Sequence, residues 1–291
     1  MRKLLNTLYV TIPNAYLSKD GETVLVRVEH ETVLRVPIHT LEGIVCVGVV
    51  SMSPPLMGFC AEHNVGVSFL SEHGRFLARI QGPIHGNVLL RREQYRRADL
   101  EADSAAIAKS ILLAKIANSR TSLLRAGREH ASETIDRVVT QLGQSLRLLA
   151  SATTFDGLRG VEGDAAQTYF SVFDELILHQ KEAFFFHGRS RRPPLDNVNA
   201  LLSFLYVLLA HDIASALETT GLDPAVGFLH RDRPGRAGLA LDLMEELRPV
   251  LADRLALTLI NRRQVAGNGF SRTESGGVTM SDATRKEVLV A

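Results

Sequence analysis

The 291-residue chain lacks tryptophan and has only two cysteines, Cys46 and Cys60. Neither cysteine has a partner cysteine or histidine at zinc spacing, which argues against a disulfide framework and against a zinc site. The longest apolar run, Leu201 to Ala210, is about half the length that a membrane-spanning helix needs. The N-terminus has no apolar segment typical of a signal peptide. We therefore expect a cytoplasmic protein.

A strong excess of either charge is also missing, because 33 Lys and Arg face 32 Asp and Glu, for a formal net charge of +1. The balance hides local differences. Residues 87–150 hold eleven basic and seven acidic groups, whereas residues 151–250 hold nine basic and fourteen acidic groups. Of the basic residues, 27 are Arg, which suits bidentate binding of phosphate, although GC-rich coding produces the same bias.

The hydrophobic pattern predicts an α+β protein with a small N-terminal β-rich domain and a larger all-α C-terminal domain. Residues 1–86 contain short alternating runs and turn signals, whereas the chain after residue 87 has helical periodicity and few Gly or Pro. We assign residues 1–86 to the β-rich domain, 87–103 to a linker and the start of the helical domain, and 104–291 to the helical domain.

Several elements are specific enough to be checked. The expected strands are 8–12, 23–28, 33–38, 43–50, 65–70 and 75–80, with one short helix at 54–62. The expected long helices are 104–116, 132–149, 162–178, 196–217 and 239–259. Residues 266–277 are rich in Gly, Ser, Asn and Thr and predict a loop.

Two single residues of types suited to metal binding, Glu162 and His230, occur in the helical half. Glu162 lies between two glycines at the expected start of a helix, where the backbone can approach a bound group. Its alternative role is simply to favour the helix N-terminus electrostatically. His230 ends an apolar run, and it could equally be a hydrogen-bonded structural histidine.

Three carboxylates, Asp242, Glu245 and Glu246, lie three or four residues apart on a predicted helix and thus near one face. Like charges at this spacing repel, and a bound cation or an arginine would offset the repulsion. A solvated acidic face paired with Arg236 or Arg248 is the alternative.

Taken together, one imidazole and several carboxylates form a suitable ligand set for Mg²⁺ or Mn²⁺, whereas zinc would recruit more His or Cys. Such an ion suits attack on a phosphodiester, because it polarises the phosphorus centre and stabilises the leaving oxygen. The loop with Arg189, Arg191 and Arg192 is a plausible phosphate-contacting surface, and Asp196 can cap the helix that follows. A merely solvated loop is equally consistent with that pattern.

Four blocks of the sequence resemble, in order, the CRISPR-associated adaptation integrase family of metal-dependent DNA endonucleases. They are Gly160-Val-Glu-Gly, Arg192-Pro-Pro-Leu-Asp-Asn-Val-Asn-Ala-Leu-Leu-Ser203, Gly221-Leu-Asp-Pro-Ala-Val-Gly-Phe-Leu-His230 and Arg236-Ala-Gly-Leu-Ala-Leu-Asp-Leu-Met-Glu-Glu-Leu-Arg-Pro249. In the N-terminal half, Leu41-Glu-Gly-Ile-Val and Gly74-Arg-Phe-Leu-Ala-Arg-Ile-Gln-Gly82 also resemble the family. The resemblance covers about nine tenths of the chain.

The resemblance implies a β-strand domain that dimerises and a helical domain that holds one Mn²⁺ or Mg²⁺ ion. The implied metal ligands, which are also the implied catalytic residues, are Glu162, His230 and Glu245, with Asp242 as a reserve. It further implies a homodimer, a small ferredoxin-like adaptation subunit, and double-stranded and branched DNA as partners. Short foreign duplexes would be inserted into the CRISPR array by transesterification. By position beside the site, the candidate DNA contacts are Arg189, Arg191, Arg192, Asn199, Arg231 and Arg236.

One departure from the family leaves an alternative open. Family members commonly continue for some tens of residues beyond the Gly276-Gly-Val block, and this sequence ends at Ala291. A catalytically impaired DNA-binding scaffold of the same adaptation complex is therefore the second hypothesis. A metal-dependent hydrolase of small phosphate esters is a third, which the lack of a Gly-rich phosphate cradle disfavours.

Overall fold

The computed structural model of the chain describes residues 6–72, 76–80, 82 and 87–291. The chain divides into two compact units, Met1–His85 and Gly86–Leu289. The N-terminal unit is β-rich and the C-terminal unit is helical, which agrees with the predicted fold class.

In its described residues, the N-terminal unit contains two four-stranded sheets and one α-helix. Its strands are β1 Asn6–Val10, β2 Ala15–Asp20, β3 Thr23–Val28, β4 Glu31–Pro37, β5 Leu41–Val47, β6 Val50–Met52, β7 Gly66–Leu70 and β8 Phe76–Ile80, and its helix is α1 Pro54–Glu62. One sheet has the order β1-β5-β7-β8, with β8 antiparallel to β7. The other has the order β4-β3-β2-β6, with β6 parallel to β2.

Apart from shifts of one or two residues at the ends of β1, β4 and β7, the predictions for this unit differ from the structure at three places. Strand β2 was not expected. The expected strand 43–50 is divided between β5 and β6, because Gly48 turns the chain with φ 82°. The expected strand at 75–80 is seen from Phe76, and Arg75 lies outside the described residues.

Strand β3 has the expected bounds, but it is more buried than simple alternation predicts. Val24, Leu25 and Val26 are all buried, so both faces of the strand are covered. This fits its position between β2 and β4 inside the second sheet. Ile44 and Leu56 belong to the same unit's core, which packs β5 and α1 against that sheet.

The helical unit contains eight α-helices in its described residues, with a small hairpin between the last two. Its helices are α2 Val88–Asp99, α3 Glu101–Glu129, α4 Glu133–Ser151, α5 Phe155–Ser171, α6 Asn197–Thr220, α7 Gly238–Leu247, α8 Arg254–Asn261 and α9 Asp282–Val290. Helix α3 packs against α4, α5 and α7. The hairpin pairs β9 Phe270–Arg272 with β10 Val278–Met280, so the predicted loop at 266–277 contains the first strand and the whole turn of the hairpin.

The start of the helical unit and the start of α5 differ from the expected ones, for identifiable reasons. Residues 87–103, expected as linker and start of the helical domain, form α2 and the first residues of α3, and the Asn87 side chain caps α2. Helix α5 begins at Phe155 because the Thr154 hydroxyl accepts a hydrogen bond from Gly157 N. Glu162 therefore lies in the middle of α5, and the prediction that it opens a helix was wrong.

The expected helix 239–259 is interrupted by a π-helical turn at Pro249–Asp253. Pro249 has no N–H to donate, and the Asp253 N–H instead bonds the Arg248 carbonyl five residues earlier at 2.9 Å. The wider turn places Asp253 inside the unit, where it is 1% exposed.

Helix α6 is, in the described part of the chain, the one helix long and apolar enough to cross a membrane by length and composition. Ten of its residues are buried, including Leu201, Phe204 and Leu217. They belong to the apolar clusters that also bury parts of α3, α7 and α8. Packing inside the helical unit therefore accounts for the apolar composition of α6.

Candidate active site

Four separate parts of the helical unit meet around one cavity of about 200 Å³. Lys115 comes from α3, Glu162 from α5, Glu245 from α7, and His230 from the loop between α6 and α7. The three predicted metal ligands thus share one cavity. The cavity is also lined by Arg189, Arg191, Tyr206, Arg248 and Asp253.

Asp242 holds His230 and the loop before it. Its Oδ2 accepts hydrogen bonds from the backbone N–H groups of Phe228 at 2.6 Å and Leu229 at 2.9 Å. Its Oδ1 accepts from His230 N at 2.9 Å and from His230 Nδ1 at 2.6 Å. A proton on Nδ1 leaves the lone pair of Nε2 for a ligand, which is the usual arrangement of a metal-binding histidine and its carboxylate partner.

These bonds give Asp242, the reserve candidate for a metal ligand, a different role. Asp242 is fully buried and both of its oxygens already accept bonds from the chain itself. In this arrangement Asp242 orients His230, whereas Glu245, three residues later on α7, lines the cavity. The unassigned neighbour Glu246 does not line this cavity.

Two glycines allow the histidine loop to lie directly on α7. A Cβ on Gly227 would be 2.7 Å from the Gly238 carbonyl carbon and 2.8 Å from Asp242 Oδ2. A Cβ on Gly238 would be 2.7 Å from the Ala225 carbonyl oxygen. Any side chain at either position would push the loop away from Asp242, since the contacted atoms are backbone or buried carboxylate.

A buried glutamine on α2 supports the same loop. Gln94 Nε2 donates to the carbonyl oxygens of Asp223 and Val226, both at 2.8 Å, and Gln94 Oε1 accepts from Asp223 N at 2.8 Å. The Tyr95 hydroxyl donates to Asp223 Oδ2 at 2.8 Å. Helix α2 therefore holds residues 223–226 in place, in the loop that leads to His230.

Lys115 lies between the two glutamates of the site. Its ammonium forms an ion pair with Glu162 Oε1 and a second one with Glu245 Oε2, the latter at 2.7 Å. Arg248 Nη1 contacts the other oxygen of Glu245 at 2.7 Å. Burial alone would raise the pKa of Glu245, but the charges of Lys115 and Arg248 outweigh it, and the pKa is lowered from its usual value. Glu245 is therefore a carboxylate at neutral pH.

Asp253, a buried acid that lines the same cavity, is enclosed by two tyrosines. Asp253 accepts a hydrogen bond from the Tyr206 hydroxyl at 2.6 Å and another from the Tyr169 hydroxyl at 3.1 Å. Burial raises the pKa of Asp253 to about 6, and the two hydrogen bonds act against that rise. The guanidinium carbons of Arg189 and Arg248 lie 5.1 Å and 4.9 Å from the centre of the Tyr206 ring.

The arginine-rich loop is ordered by Asn199 and Asp196. Asn199 Oδ1 accepts from Arg189 Nη1 at 2.6 Å and from Ser190 N at 3.1 Å. Its amide nitrogen donates to the Gly188 carbonyl at 2.8 Å and to Asp196 Oδ2 at 2.6 Å. Asp196 caps α6 by accepting from Asn199 N at 2.7 Å, as predicted.

Asn199 itself is fully buried, with every polar atom of its amide bonded inside the chain. It cannot contact DNA from this position, so the prediction of a direct contact is corrected: Asn199 holds the loop that presents Arg189. Arg189 is half-buried and its Nε makes no hydrogen bond, while Arg191 is exposed at the rim of the cavity.

The other candidate DNA contacts are arranged differently. Arg192 is exposed on the same loop as Arg191. Arg231 is exposed and lines a second, larger cavity of about 870 Å³ that shares His230 with the first. Arg236 is half-buried and lines neither cavity.

Comparison with known proteins identifies the family. The model of the family described as "CRISPR associated protein Cas1" matches residues 8–291. This chain belongs to the Cas1 family. It is 52% identical over 295 residues to the CRISPR-associated endonuclease Cas1 1 of Chlorobaculum tepidum. It is likewise 52% identical over 299 residues to the CRISPR-associated endonuclease Cas1 2 of Rhodospirillum rubrum. Both alignments cover 100% of this chain and 86% of the relative.

Solved structures have the same fold. A Cas1 protein from Thermotoga maritima aligns with a TM-score of 0.85 at 23% identity, over 98% of this chain and 88% of that one. A casposase bound to integration product aligns at 0.83 and 23% identity, over 98% and 81%. A chain of a Cas6-RT-Cas1–Cas2 complex aligns at 0.81 and 25% identity, over 100% and 32%. The fold is thus that of Cas1 proteins, and the resemblance seen in the sequence is confirmed.

The side chains of this Cas1-family site are of the types that bind a hard divalent cation. The Lys115 ammonium, however, already bridges two of them. No group of three or more His, Cys, Asp or Glu side chains among the described residues is arranged to hold an ion. Glu245 Oε2 is nevertheless buried without a hydrogen bond of good geometry, although Lys115 Nζ lies 2.7 Å away. Two carboxylates and an imidazole nitrogen are thus the donor types that such an ion takes, and Lys115 occupies the space between the two carboxylates.

Sequence analysis missed Lys115, Tyr206 and Asp253. Lys115 had a detectable signal, because it follows Leu112 by three residues and precedes Ser119 by four, and both are buried. A charged residue at that spacing falls on the apolar face of the helix. Asp253 had no such signal, since the π-helical turn that brings it inward follows from the local backbone at Pro249.

Proposed function

We propose that this chain is a Mn²⁺- or Mg²⁺-dependent DNA endonuclease and integrase of CRISPR adaptation. The observation that carries the proposal is the meeting of Glu162, His230 and Glu245 at one cavity in a chain of the Cas1 family. Its relatives are named CRISPR-associated endonucleases, and a protein of the same fold is seen bound to integration product. The substrate would be double-stranded and branched DNA.

The residues of the chain divide the work in a way that follows from their geometry. Glu162, Glu245 and Nε2 of His230 would hold the ion, and Asp242 would keep His230 in the required tautomer. When bound, the ion would supply Lewis-acid polarisation of the phosphodiester and stabilise the leaving oxygen. Arg191 at the rim and Arg189 inside the cavity would neutralise phosphate charge next to the reacting group.

The products depend on the nucleophile. Water attacking the phosphodiester gives endonucleolytic cleavage, and a 3′-hydroxyl of a captured duplex gives insertion by transesterification. In both cases one P–O bond forms as another breaks, and the proton of the nucleophile has to be removed. The impaired-scaffold alternative is not favoured, because the relatives at 52% identity are named endonucleases.

The test measures cleavage of a branched DNA and strand transfer into repeat-bearing DNA in Mn²⁺ and in EDTA. Glu162→Gln, His230→Ala and Glu245→Gln are each expected to lower the rate at least about 100-fold while the far-UV circular dichroism is retained. Glu246→Gln, on the same helix but off the cavity, is the matched control. Wild-type rates in all three variants would refute the site, and duplex binding with no product under any condition would favour the scaffold.

We also propose that the chain forms a homodimer through its β-rich unit and works with a small ferredoxin-like subunit in the cytoplasm. Strand β4 is an edge strand, and Val33 and Leu34 on it are exposed. One structure of the same fold is a Cas1–Cas2 assembly. Light scattering of the wild type and of Leu34→Glu tests the homodimer: we expect a dimer and a monomer, respectively.

A further inference from the structure

The position of Lys115 points to a role that the proposed metal site does not by itself require. Its side chain is only 14% exposed, and its ammonium lies against one oxygen of Glu162 and one of Glu245. These are the two carboxylates that would bind the divalent ion. The ammonium of Lys115, a residue of α3, thus already bridges the two proposed ligands.

Lys115 and Arg248 pair with different oxygens of Glu245. The Lys115 ammonium lies 2.7 Å from Oε2. The other oxygen of Glu245 is held by Arg248. Lys115 can therefore leave without releasing Glu245, since Arg248 keeps the carboxylate in place. Lysine suits such an exchange because its ammonium is a compact charge on a flexible four-carbon stem.

We propose that Lys115 is an internal competitor of the divalent ion, which occupies the space between Glu162 and Glu245 in the metal-free protein and is displaced when the ion binds. The inference rests on the proposed function, because it takes these carboxylates as the ion's ligands. An ammonium and a divalent cation cannot share the two oxygens, since like charges about 4 Å apart in a partly buried site repel strongly. Metal affinity is consequently weakened by the free energy of the lysine bridge.

The same bridge stabilises the metal-free protein. Glu162 and Glu245 are 29% and 7% exposed and would repel each other without a cation between them. Removing Lys115 should thus have two opposite effects, a lower melting temperature in EDTA and tighter metal binding. A lysine with a purely structural role would give the first effect and not the second.

The experiment compares the full-length wild type with Lys115→Met, Lys115→Arg and Lys286→Met. Lys286 is an exposed lysine of α9 and serves as the matched control. Mn²⁺ binding is measured by isothermal calorimetry, and melting temperatures are recorded in EDTA and in saturating Mn²⁺. We expect Lys115→Met to bind Mn²⁺ roughly tenfold more tightly than wild type, within the usual range of coupling between competing sites. Lys115→Arg keeps the charge and should gain no affinity.

The outcomes separate the two proposals. Equal or weaker Mn²⁺ binding by Lys115→Met, with wild-type binding that Glu162→Gln abolishes, would overturn the competitor and leave the metal site standing. No Mn²⁺ binding by wild type or by Lys115→Met would overturn both. If Lys115→Met fails to fold, Lys115→Gln keeps a hydrogen-bond donor without the charge, and the same gain in affinity is expected of it.

Discussion

Asp242 shows how one buried carboxylate can position a neighbouring side chain, here the ring of His230, without itself lining the cavity. Three backbone N–H groups and the ring of His230 converge on its two oxygens, and glycines at 227 and 238 remove the atoms that would keep the loop away. The residue spacing on α7 placed Asp242 and Glu245 on one face, but it could not separate the residue that orients His230 from the one at the cavity.

Replacing Asp242 by Asn should lower the free energy of unfolding and weaken metal binding. The amide has one acceptor oxygen in place of two, so at least one buried N–H group loses its partner, at a cost of about 1–3 kcal/mol. Loss of the histidine's carboxylate partner should weaken Mn²⁺ binding about 10- to 100-fold. Urea denaturation and calorimetry measure the two effects. A variant with weakened folding but unchanged Mn²⁺ affinity would show that His230 does not depend on Asp242 for its orientation.

The raised pKa of Asp253 leads to a separate prediction about how the free energy of unfolding depends on pH. Burial raises its pKa in the folded protein from 3.8 to about 6, so the folded state binds the proton more tightly than the unfolded state. Its contribution to stability is therefore complete below about pH 4 and is lost as the pH rises through 6. Relative to Asp253→Asn, the wild type should lose free energy of unfolding on the order of 3 kcal/mol between pH 4 and pH 7.

Urea denaturation of both proteins at several pH values measures this difference, because the other acids titrate alike in the pair. Glu287→Gln, at an exposed position of α9, is the control and should show little dependence on pH relative to wild type. A difference between wild type and Asp253→Asn that stays constant from pH 4 to pH 7 would contradict the raised pKa.

At the scale of elements, most of the fold could be predicted from periodicity, and the exceptions have physical causes. Strand β3 and helix α1 have the bounds that the sequence pattern indicated. The start of α5 was misplaced because Gly160 and Gly163, on either side of Glu162, looked like a helix boundary. Packing of α5 against α3 and α4 stabilises those glycines inside the helix. The candidate ligands Glu162, His230 and Glu245 were recognisable in the sequence, whereas the sign of Lys115 was its spacing from Leu112 and Ser119 on the buried face of α3.

Helix α2 supports the site from a distance, and Gln94→Ala tests this. The substitution leaves the carbonyls of Asp223 and Val226 and the N–H of Asp223 without their partner, so the loop before His230 should loosen. We expect faster hydrogen exchange in residues 222–230, with α4 unchanged, and a several-fold lower DNA cleavage rate. Tyr95→Phe removes one exposed bond and should have a smaller effect. Unchanged exchange in Gln94→Ala would exclude this support.

At the scale of the whole molecule, a net charge of +1 does not describe what DNA would meet. Carboxylates of the acidic region 151–250 are partly neutralised inside the helical unit, Glu162 and Glu245 by Lys115 and Glu245 also by Arg248. Arg191 and Arg231 remain exposed at the two cavities, and Arg192 is exposed on the loop that carries Arg191. Affinity for DNA should therefore arise from a few local phosphate contacts, which fits the arginine-rich composition.

Salt dependence of duplex binding measures how many phosphates the protein neutralises. When one basic side chain no longer neutralises its phosphate, the slope of log K against log salt concentration becomes shallower by about 0.9. Arg191→Gln at the cavity rim should thus reduce the magnitude of the slope by about 1, as measured by fluorescence anisotropy of a labelled duplex. Arg128→Gln, at an exposed position on α3 about 20 Å along the helix from Lys115, should leave it unchanged. Equal slopes for wild type and Arg191→Gln would place the DNA backbone away from this rim.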